Sequence, residues 1–337
     1  MAENRLFPLQ ALDPDPNRMG FKAAGLARLH GAGANVPPGF LLRPTDKIAG
    51  ELSPIGRLAL HPLIREGIRG IETQTQQRYG GFTHPLLVSI RAEGVEETVP
   101  HAVLNVGLND RSVAALALES EDLRFALDCY RRFLTGYGEV VFGLPHQAFE
   151  EPLRRLMQSS RVQVETFLPL PAWVDLVETY RQILNVQGGL PTDPYEQLVA
   201  LVEAYLHHAK GSCPVDLVVQ QMVFGNVGAD SGTGVVTFHA VSNEDRRFYL
   251  EGLFLANAQG NDLYAPGRSP VSLHAMALRL PRAARGLQLL SRRLFEKFGS
   301  EWQLTFTLQK QRLFALQWMP LAQAVTMSAG ESGRKGA

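Results

Sequence analysis

Residues 220–270 read QQMVFGNVGADSGTGVVTFHAVSNEDRRFYLEGLFLANAQGNDLYAPGRSP, and this stretch is the most informative part of the chain about its fold. Apolar runs from Gly234 to Ala240 and from Phe248 to Ala256 predict strands, and the Ser-Gly-Thr-Gly segment at 231–234 predicts a tight turn. Glycine also lets a backbone approach a phosphate closely. Such a turn is more often an ordinary hairpin than a ligand site, so the surrounding residues decide its meaning.

The region before this stretch divides into a strand-rich part and a helical part. Up to about residue 110, short strands alternate with loops rich in Gly and Pro, and the clearest strand runs from Leu86 to Ile90. From 111 to 189, apolar residues recur at spacings of three and four, which predicts helices. A further helix begins after Asp193, which can act as N-cap while Pro194 takes the first helical position and Glu196 completes a capping box.

The region after residue 214 is predicted to be mainly strands with one long helix. A strand from Val215 to Phe224 precedes the two strands given above, and the helix runs from Pro281 to Phe298. Two final strands, Leu304–Leu308 and Arg312–Gln317, are predicted to pair across a turn at 310–311.

The composition is that of a compact protein with balanced charge. The chain has 337 residues, of which 45% are hydrophobic, so it can bury a large core. Lys plus Arg equal Asp plus Glu at 33 each, which excludes a global field that would attract nucleic acid or an anionic membrane. Two cysteines, Cys129 and Cys213, are too few for a disulfide framework. Since no segment resembles a signal peptide or a membrane span, we expect a cytoplasmic protein without nucleic-acid or membrane partners.

Several further blocks of sequence follow one another in a distinctive order. They are GFKAAGLA at 20–27, VPPGF at 36–40, PLLVSIR at 85–91, VLNVGLND at 103–110, RFA at 124–126, YRRF at 130–133, DPYEQL at 193–198, NAQG at 257–260 and RSP at 268–270. Together these blocks resemble the N-terminal nucleotide-binding domain of pyruvate, phosphate dikinase. Any one block is weak evidence, and the shared order carries the resemblance.

The resemblance implies an α+β fold of the ATP-grasp type, in which two lobes bind a nucleotide and a helical segment is inserted. The implied domains are an N-terminal lobe at 1–110, a helical subdomain at 111–189, a C-terminal lobe at 190–325 and a disordered tail at 326–337. One lobe of such a fold supplies cations to the phosphates, and the other supplies adenine contacts and the carboxylates that hold magnesium. Phosphoryl transfer needs both, because it depends on positioning and on neutralising phosphate charge.

The cationic and amide side chains of this site are retained. The resemblance assigns the following residues to nucleotide binding: Lys22, Arg91, Gln220, Met222, Gln259, Arg268 and Gln317. The three cations are expected to contact phosphate, and the residues at 220–222 are expected to line the adenine. Considered without the resemblance, a single Lys or Arg is usually a solvated surface charge. Residues 220–222 fit an interior strand at a lobe interface about equally well.

The metal-binding acids of the site are missing. Where the family has G-E-[YF]-L, this chain has Leu253 in place of the acid, and where the family has I-E-F-T it has Thr305. A leucine cannot ligate Mg²⁺, and a threonine hydroxyl offers only an uncharged oxygen. His239 and Met319 also stand where the family has arginines. The resemblance therefore predicts weak ATP binding with little help from Mg²⁺.

Acidic residues occur at other positions near the implied site. Three acids, Glu93, Glu96 and Glu97, follow Arg91 where the family has an arginine and small residues. The acid after N-A-Q-G is replaced by Asn261, although Asp262 follows it. Glu251 lies two residues before Leu253 and therefore on the same face of a strand. We keep Glu251 and Asp262 as candidate metal ligands, with strand-end capping or a contact to Arg246 or Arg247 as the simpler role of Glu251.

Two functions from different classes are compatible with these residues. The first is a nucleotide-binding or regulatory module, a pseudoenzyme that keeps the dikinase-like fold without the chemistry. The second is an active ATP-dependent phosphotransferase component that phosphorylates a histidine on a separate partner protein. In the family the phosphoryl group passes through a histidine of a swivelling domain, and none of the nine histidines here has that sequence setting. Because function depends on the site rather than the fold, the loss of the acids favours the first function.

Overall fold

The structure is a computed structural model that describes residues 5–44, 47–48, 51–52, 54–209, 215–242, 247–265, 268–299 and 301–321. The chain forms two compact units: the first comprises Met1–Pro8 and Pro38–Met222, and the second comprises Leu9–Pro37 and Val223–Ala337. These units interleave along the chain, so their limits do not coincide with the contiguous domains 1–110, 111–189 and 190–325, which remain a prediction. The tail at 326–337, Cys213 and Arg246 lie outside the described residues.

The strands are short in the first unit and longer in the second. In chain order they are β1 (Arg5–Pro8), β2 (Gly39–Arg43), β3 (Lys47–Ile48), β4 (Glu51–Leu52), β5 (Arg78–Tyr79), β6 (Pro85–Leu86), β7 (Val88–Glu93), β8 (Ala102–Val106), β9 (Asp216–Gln221), β10 (Gly232–Ser242), β11 (Arg247–Ala256), β12 (Val271–Ser272), β13 (Trp302–Gln309) and β14 (Arg312–Pro320).

Half of the ten described α-helices lie between β8 and β9. In chain order they are α1 (Pro16–Met19), α2 (Phe21–Gly31), α3 (Pro54–Thr75), α4 (Asp110–Ser120), α5 (Leu123–Val141), α6 (Gln147–Ser159), α7 (Leu170–Asn185), α8 (Pro194–His207), α9 (Leu273–Arg279) and α10 (Pro281–Phe298). Short 3-10 helices occur at Leu9–Ala11, Glu165–Phe167 and Gly260–Tyr264. Within the part of the chain described, no helix is both long enough and apolar enough to cross a lipid bilayer.

The first unit is built on a five-stranded sheet in the order β1-β2-β9-β7-β8, with every neighbouring pair antiparallel. One face of this sheet is apolar, and Phe40, Val219 and Ile90 on it are at most 2% exposed. Helix α3 approaches that face closely. A Cβ at Gly67 would stand 2.5 Å from the Phe40 ring, so the packing requires glycine there.

The helices predicted between 111 and 189 are present as α4 to α7. Helix α5 packs against α7, and both α4 and α6 contact one of this pair. The rings of Phe149 and Tyr180 meet edge to face at 5.1 Å, and the Tyr180 hydroxyl donates to the Phe149 carbonyl oxygen at 2.5 Å. Burial of this aromatic pair joins α6 to α7.

The second unit contains a five-stranded antiparallel sheet in the order β12-β11-β10-β13-β14. On one face, which we call the back face, the Phe238 ring stacks on Trp302 and on Phe295 of α10, each at 4.9 Å. Helix α2 lies along β14, and a Cβ at Gly25 would collide with the carbonyl oxygen of Trp318. We call the opposite side of this sheet the front face.

These features confirm an α+β fold, and many predicted elements agree with it. The helix at Pro281–Phe298 has the predicted limits, and the Asp193 side chain accepts from the Tyr195 amide as an N-cap. Glu196 is not the second half of a capping box as predicted. Its carboxylate instead forms an ion pair with Arg57 of α3, at a distance of 3.7 Å from the guanidinium.

The predicted turn at 231–234 is wrong, because Gly232 and Gly234 lie within β10. The turn occurs earlier, at 225–230. A Cβ at Gly232 would collide with the Phe254 ring, and one at Gly234 would collide with the Phe306 ring. The two rings stack with their centroids 6.3 Å apart. The glycines therefore admit aromatic rings on the back face, where the sequence suggested room for a phosphate.

We expect the Gly25→Ala change to destabilise the chain, although alanine normally favours a helix interior. The added methyl group meets the Trp318 carbonyl oxygen, which is backbone and cannot rotate away, so we expect a loss of about 1–3 kcal/mol in the free energy of unfolding. Gly286→Ala in α10 is the matched control. With no atom within 4 Å of its new Cβ, it is expected to raise stability by about 0.5–1 kcal/mol. Urea unfolding measures both, and equal effects of the two changes contradict the close packing of α2 on β14.

Candidate functional site

The positions of the two missing acids lie in one row across the front face of the second sheet. Val235 of β10 pairs with Leu253 of β11 on one side and with Thr305 of β13 on the other. Thr305 in turn pairs with Gln317 of β14. Directly opposite residues of antiparallel strands point to the same face, so these four side chains form a row, which we call the 253–317 row. The register thus brings together two positions that are 52 residues apart in the sequence.

This geometry is suitable for sharing a cation between two acids, but the residues present do not fit one. Strands are about 4.8 Å apart, so the backbones at Leu253 and Thr305 are about 10 Å apart, on either side of Val235. Carboxylates at both positions could reach over the valine to one metal ion. Instead, Leu253 is an apolar side chain, 39% exposed, and Thr305 is uncharged. Mg²⁺ requires oxygen ligands and favours carboxylates, and this row offers it no charged ligand.

Glu251 lies in the next row of the front face, where it is opposite Thr237. Its side chain is 74% exposed, and its carboxylate oxygen is 3.6 Å from Nε2 of His239. The other ring nitrogen of His239 is 3.6 Å from a carboxylate oxygen of Glu301, and the ring stacks on Tyr249 at 4.7 Å. The ring of His239 is thus placed between two acids. Among the described residues, no cluster of three or more His, Cys, Asp and Glu side chains is arranged to hold a metal ion.

The segment from 257 to 265 covers part of this front face. Ala258 and Leu263 join Val235 and Leu255 in one buried apolar cluster. The covering loop therefore packs directly beside the 253–317 row.

Gln259 and Asp262 belong to this loop and form a reciprocal capping box at its 3-10 helix. The Gln259 amide donates to Oδ2 of Asp262 at 3.0 Å, while the Gln259 side chain accepts from the Asp262 amide. Both residues are buried, at 3% and 9% exposure. Local backbone hydrogen bonding thus accounts for Asp262, which was a candidate metal ligand.

Arg268 and Lys22 are the two retained cations of the second unit. One guanidinium nitrogen of Arg268 donates to the Asn257 carbonyl oxygen at 2.9 Å, which connects the two ends of the covering loop. Lys22 lies in the first turn of α2 and is 8% exposed. Gly20 is the N-cap residue of this helix, and its φ of +72° is a backbone conformation that residues with a side chain rarely adopt.

Arg91, Gln220 and Met222 are the predicted site residues of the first unit. A guanidinium nitrogen of Arg91 donates to Oε1 of Gln220 at 2.5 Å across the β7–β9 pair. Burial lowers the pKa of Arg91 to about 10, and the nearby Glu93 carboxylate opposes this shift, so Arg91 keeps its charge at neutral pH. The Met222 amide, just beyond β9, donates to the Leu87 carbonyl oxygen at 2.9 Å.

The sequence analysis missed an ion pair on the same face of this sheet. Asp216 accepts two hydrogen bonds of 2.6 Å from Arg43, and hydrogen bonding to this acid raises the pKa of the arginine. Asp216 is 5% exposed and lies directly opposite Glu93. An acid inside the apolar run of β9 was the signal available in the sequence. Of the three acids that follow Arg91, Glu93 shares its face of β7, and the other two are exposed.

The structure therefore groups the predicted site residues by unit. The first unit contains Arg91, Gln220 and Met222, and the second contains Lys22, Gln259, Arg268 and Gln317. Within the second unit, the covering loop and the 253–317 row lie together on the front face.

Comparison with known proteins gives relatives of one kind. The chain is 35% identical over 321 residues to the chloroplastic pyruvate, phosphate dikinase of Mesembryanthemum crystallinum, which covers 89% of this chain and 33% of the relative. It is 33% identical over 343 residues to the chloroplastic enzyme of Flaveria trinervia, covering 94% and 35% of the two chains. It is 32% identical over 338 residues to pyruvate, phosphate dikinase of Rhizobium meliloti strain 1021, covering 90% and 37%. No family model matches the chain.

The fold and these relatives define an α+β protein of the phosphate dikinase class. The chain belongs to the pyruvate, phosphate dikinase family and corresponds to the N-terminal part of its members. It spans about a third of the length of the curated relatives it matches.

We expect the Asp262→Ala change to affect stability rather than metal binding. The Gln259 amide loses its acceptor, which is expected to lower the free energy of unfolding by about 0.5–2 kcal/mol. Glu251→Ala removes an exposed carboxylate and serves as the control, with an expected change within about 0.5 kcal/mol. Urea unfolding and ATP titration with and without Mg²⁺ measure both variants. A loss of Mg²⁺ dependence in Asp262→Ala, at unchanged stability, contradicts the capping role.

Proposed function

We propose that this chain is a non-catalytic ATP-grasp domain that binds a purine nucleotide weakly and acts as a regulatory or assembly module. The observation that carries the proposal is the 253–317 row, in which a leucine and a threonine flank Val235 where two acids would share a cation. An enzyme that transfers a phosphoryl group stabilises the charge on the phosphate with metal ions and cations. Without the acids, the protein half of the metal bridge is missing.

Nucleotide binding is supported by the residues that remain. Lys22, Arg91 and Arg268 are kept, and Arg91 is oriented by its hydrogen bond to Gln220. Buried and oriented cations bind phosphate more strongly than solvated ones, because less side-chain entropy is lost on binding. The relatives are named as pyruvate, phosphate dikinases, and we extend to this chain only their use of a nucleotide. Gln317 and Gln259 are the further contacts that the resemblance assigns, and Gln259 would have to give up its hydrogen bond to the Asp262 amide to contact a nucleotide.

The alternative is an active phosphotransferase component that passes phosphate to a histidine on a separate protein. One observation favours it: Glu251 lies on the front face, one row from Leu253, and its carboxylate is exposed. Glu251 lies beside His239 in the row next to the 253–317 row, so this one carboxylate would have to supply the negative charge of two carboxylates. We also propose a cytoplasmic location and a phosphohistidine partner protein. Both proposals depend on this alternative or on the resemblance to the family.

We expect Mg²⁺ to change the ATP affinity of the unmodified chain by less than about tenfold, or ~1.4 kcal/mol. The double variant Leu253→Glu, Thr305→Glu places two acids around Val235 and is expected to restore a stronger Mg²⁺ dependence. Gln303→Glu is the matched control. With the native Glu251 it places two acids around Thr237, one row away, and is expected to leave the dependence unchanged.

Thermal-shift titration and calorimetry with ATP, each with and without Mg²⁺, measure these affinities. If Mg²⁺ changes the ATP affinity of the unmodified chain by more than about tenfold, a native acid binds the metal. The proposal of a site without metal-binding acids is then wrong.

We expect the purified chain neither to release labelled phosphate from ATP nor to pass it to an added dikinase swivelling domain. Loss of one arginine that stabilises the transferring phosphate can cost about 10³–10⁵ in rate, roughly 4–7 kcal/mol. Here His239 and Met319 replace two arginines, in addition to the two missing acids. The assay includes Lys22→Ala as the control for contaminating activity. Turnover by the unmodified chain that disappears in Lys22→Ala supports the active alternative instead.

A further inference from the structure

The second unit has an open cavity of about 520 Å³ on the back face of its sheet, lined by residues of β11, α9 and α10. Its lining residues are Phe248, Leu250, Leu273, His274, Met276, Ala277, Ala284, Arg285, Leu287, Gln288, Leu289 and Arg292. This volume is within the range of sites that hold small organic molecules. No residue assigned above to nucleotide or metal binding lines it.

The cavity is separated from the proposed nucleotide residues by the sheet itself. Alternate residues of a strand point to opposite faces, so Phe248 and Leu250 face the back while Leu253 faces the front. The pairing of Leu250 with Phe238, which belongs to the buried aromatic cluster, confirms this orientation. A ligand on the back face would therefore not contact the 253–317 row.

Part of the cavity lining is apolar. Met276 and Leu287 are almost completely buried, at 1% and 2% exposure, and the Phe248 ring lies tilted against Phe238 with the ring centroids 4.8 Å apart. Leu289 at the opening is 54% exposed. An apolar body placed in this space would remove these surfaces from water, which favours binding by about 25 cal/mol for each Å² of apolar surface buried.

The opening of the cavity is cationic. Arg285 and Arg292 are seven residues apart on α10, so they lie on the same face of the helix at about 10 Å along its axis. Gln288 lies between them, and no Asp or Glu lines the cavity. Arg285 forms no ion pair with any of the described residues, and Arg292 has only a loose contact of 4.0 Å with Glu296.

The surrounding helices strengthen this field. From 273 to 298 the sequence has six Lys and Arg residues and one acid, a net charge of +5, in a chain whose formal net charge is +0. A local excess of one sign raises the concentration of oppositely charged ligands near the surface. The charge and the apolar part of the lining together select ligands that are both anionic and apolar.

We propose that this cavity binds a small organic anion. Its apolar body lies on Phe248 and Met276, and its carboxylate or phosphate group accepts hydrogen bonds from Arg285 and Arg292. Arginine suits this role because its planar guanidinium matches the geometry of both anions. The site is independent of the nucleotide function proposed above, since it lies on the other face of the sheet.

Titration calorimetry with octanoate, octyl phosphate and octylamine, each below its aggregation concentration, tests the proposal. Octanoate and octyl phosphate distinguish the two possible head groups, and octylamine has the same chain with the opposite charge. We expect saturable binding of at least one of the two anions, with octylamine at least about tenfold weaker. No saturable binding of either anion, or equal binding of octylamine, overturns the proposal.

The double variant Arg285→Gln, Arg292→Gln is expected to weaken anion binding by at least about tenfold, since each charged hydrogen bond contributes more than a neutral one. Arg282→Gln is the matched control on the same helix, because this exposed arginine does not line the cavity, and its effect is expected to stay within about twofold. Equal effects of the control and the double variant assign binding to general surface charge and overturn the proposal.

A second variant tests the cavity without changing its charge. Ala277→Phe fills the space between α9 and β11 and is expected to reduce anion binding, while ATP titration of the same variant stays unchanged. Thermal unfolding confirms that the variant is folded. If it does not fold, the arginine variants alone decide. Anion binding that persists in a folded Ala277→Phe variant contradicts the cavity as the site.

Discussion

The register of β10 between β11 and β13 is the constraint on which the candidate site depends. It is fixed by the packing of the Phe254 and Phe306 rings, which occupy the space above the side-chain-free Gly232 and Gly234 on the back face. A slip of β10 by one residue would turn Gly232 and Gly234 to the front face and place the side chains of Thr233 and Val235 under the rings. Aromatic packing on one face therefore fixes which residues meet on the other. The 253–317 row is a consequence of that packing.

On this fixed frame, the front face brings together the two positions at which the family resemblance implies acids. The positions that flank Val235 are still opposite each other, but no carboxylate stands at either. The negative charge of the face lies one to two rows away, at Glu251 and Glu301 beside His239. His239 thus lies between two acids, at the position where the family resemblance implies an arginine.

The sequence predicted the elements well, whereas it does not show which local hydrogen bonds several polar residues form. Strong periodicity and a good cap predicted α10 and the start of α8, and the order of motifs predicted the family. The sequence could not show that Gln259 and Asp262 bond to each other's backbone amides. Short polar side chains can serve either a ligand or the neighbouring backbone, and the backbone geometry that decides between them is absent from the sequence. Likewise, glycine permits close approach by a phosphate or by an aromatic ring, and only the pairing of β10 identifies the ring.

The loss of the two acids is compatible with a stable domain, and this follows from the same geometry. Two carboxylates facing each other across Val235 would repel each other whenever no metal is bound. Leucine and threonine remove that repulsion, and Leu253 adds apolar surface beside the buried Val235, Leu255, Ala258 and Leu263 cluster. Functional sites often reduce stability, so uncharged residues at these two positions favour the packing of the domain. The fold is thus maintained by its back face and by α2 on β14, whatever the front face binds.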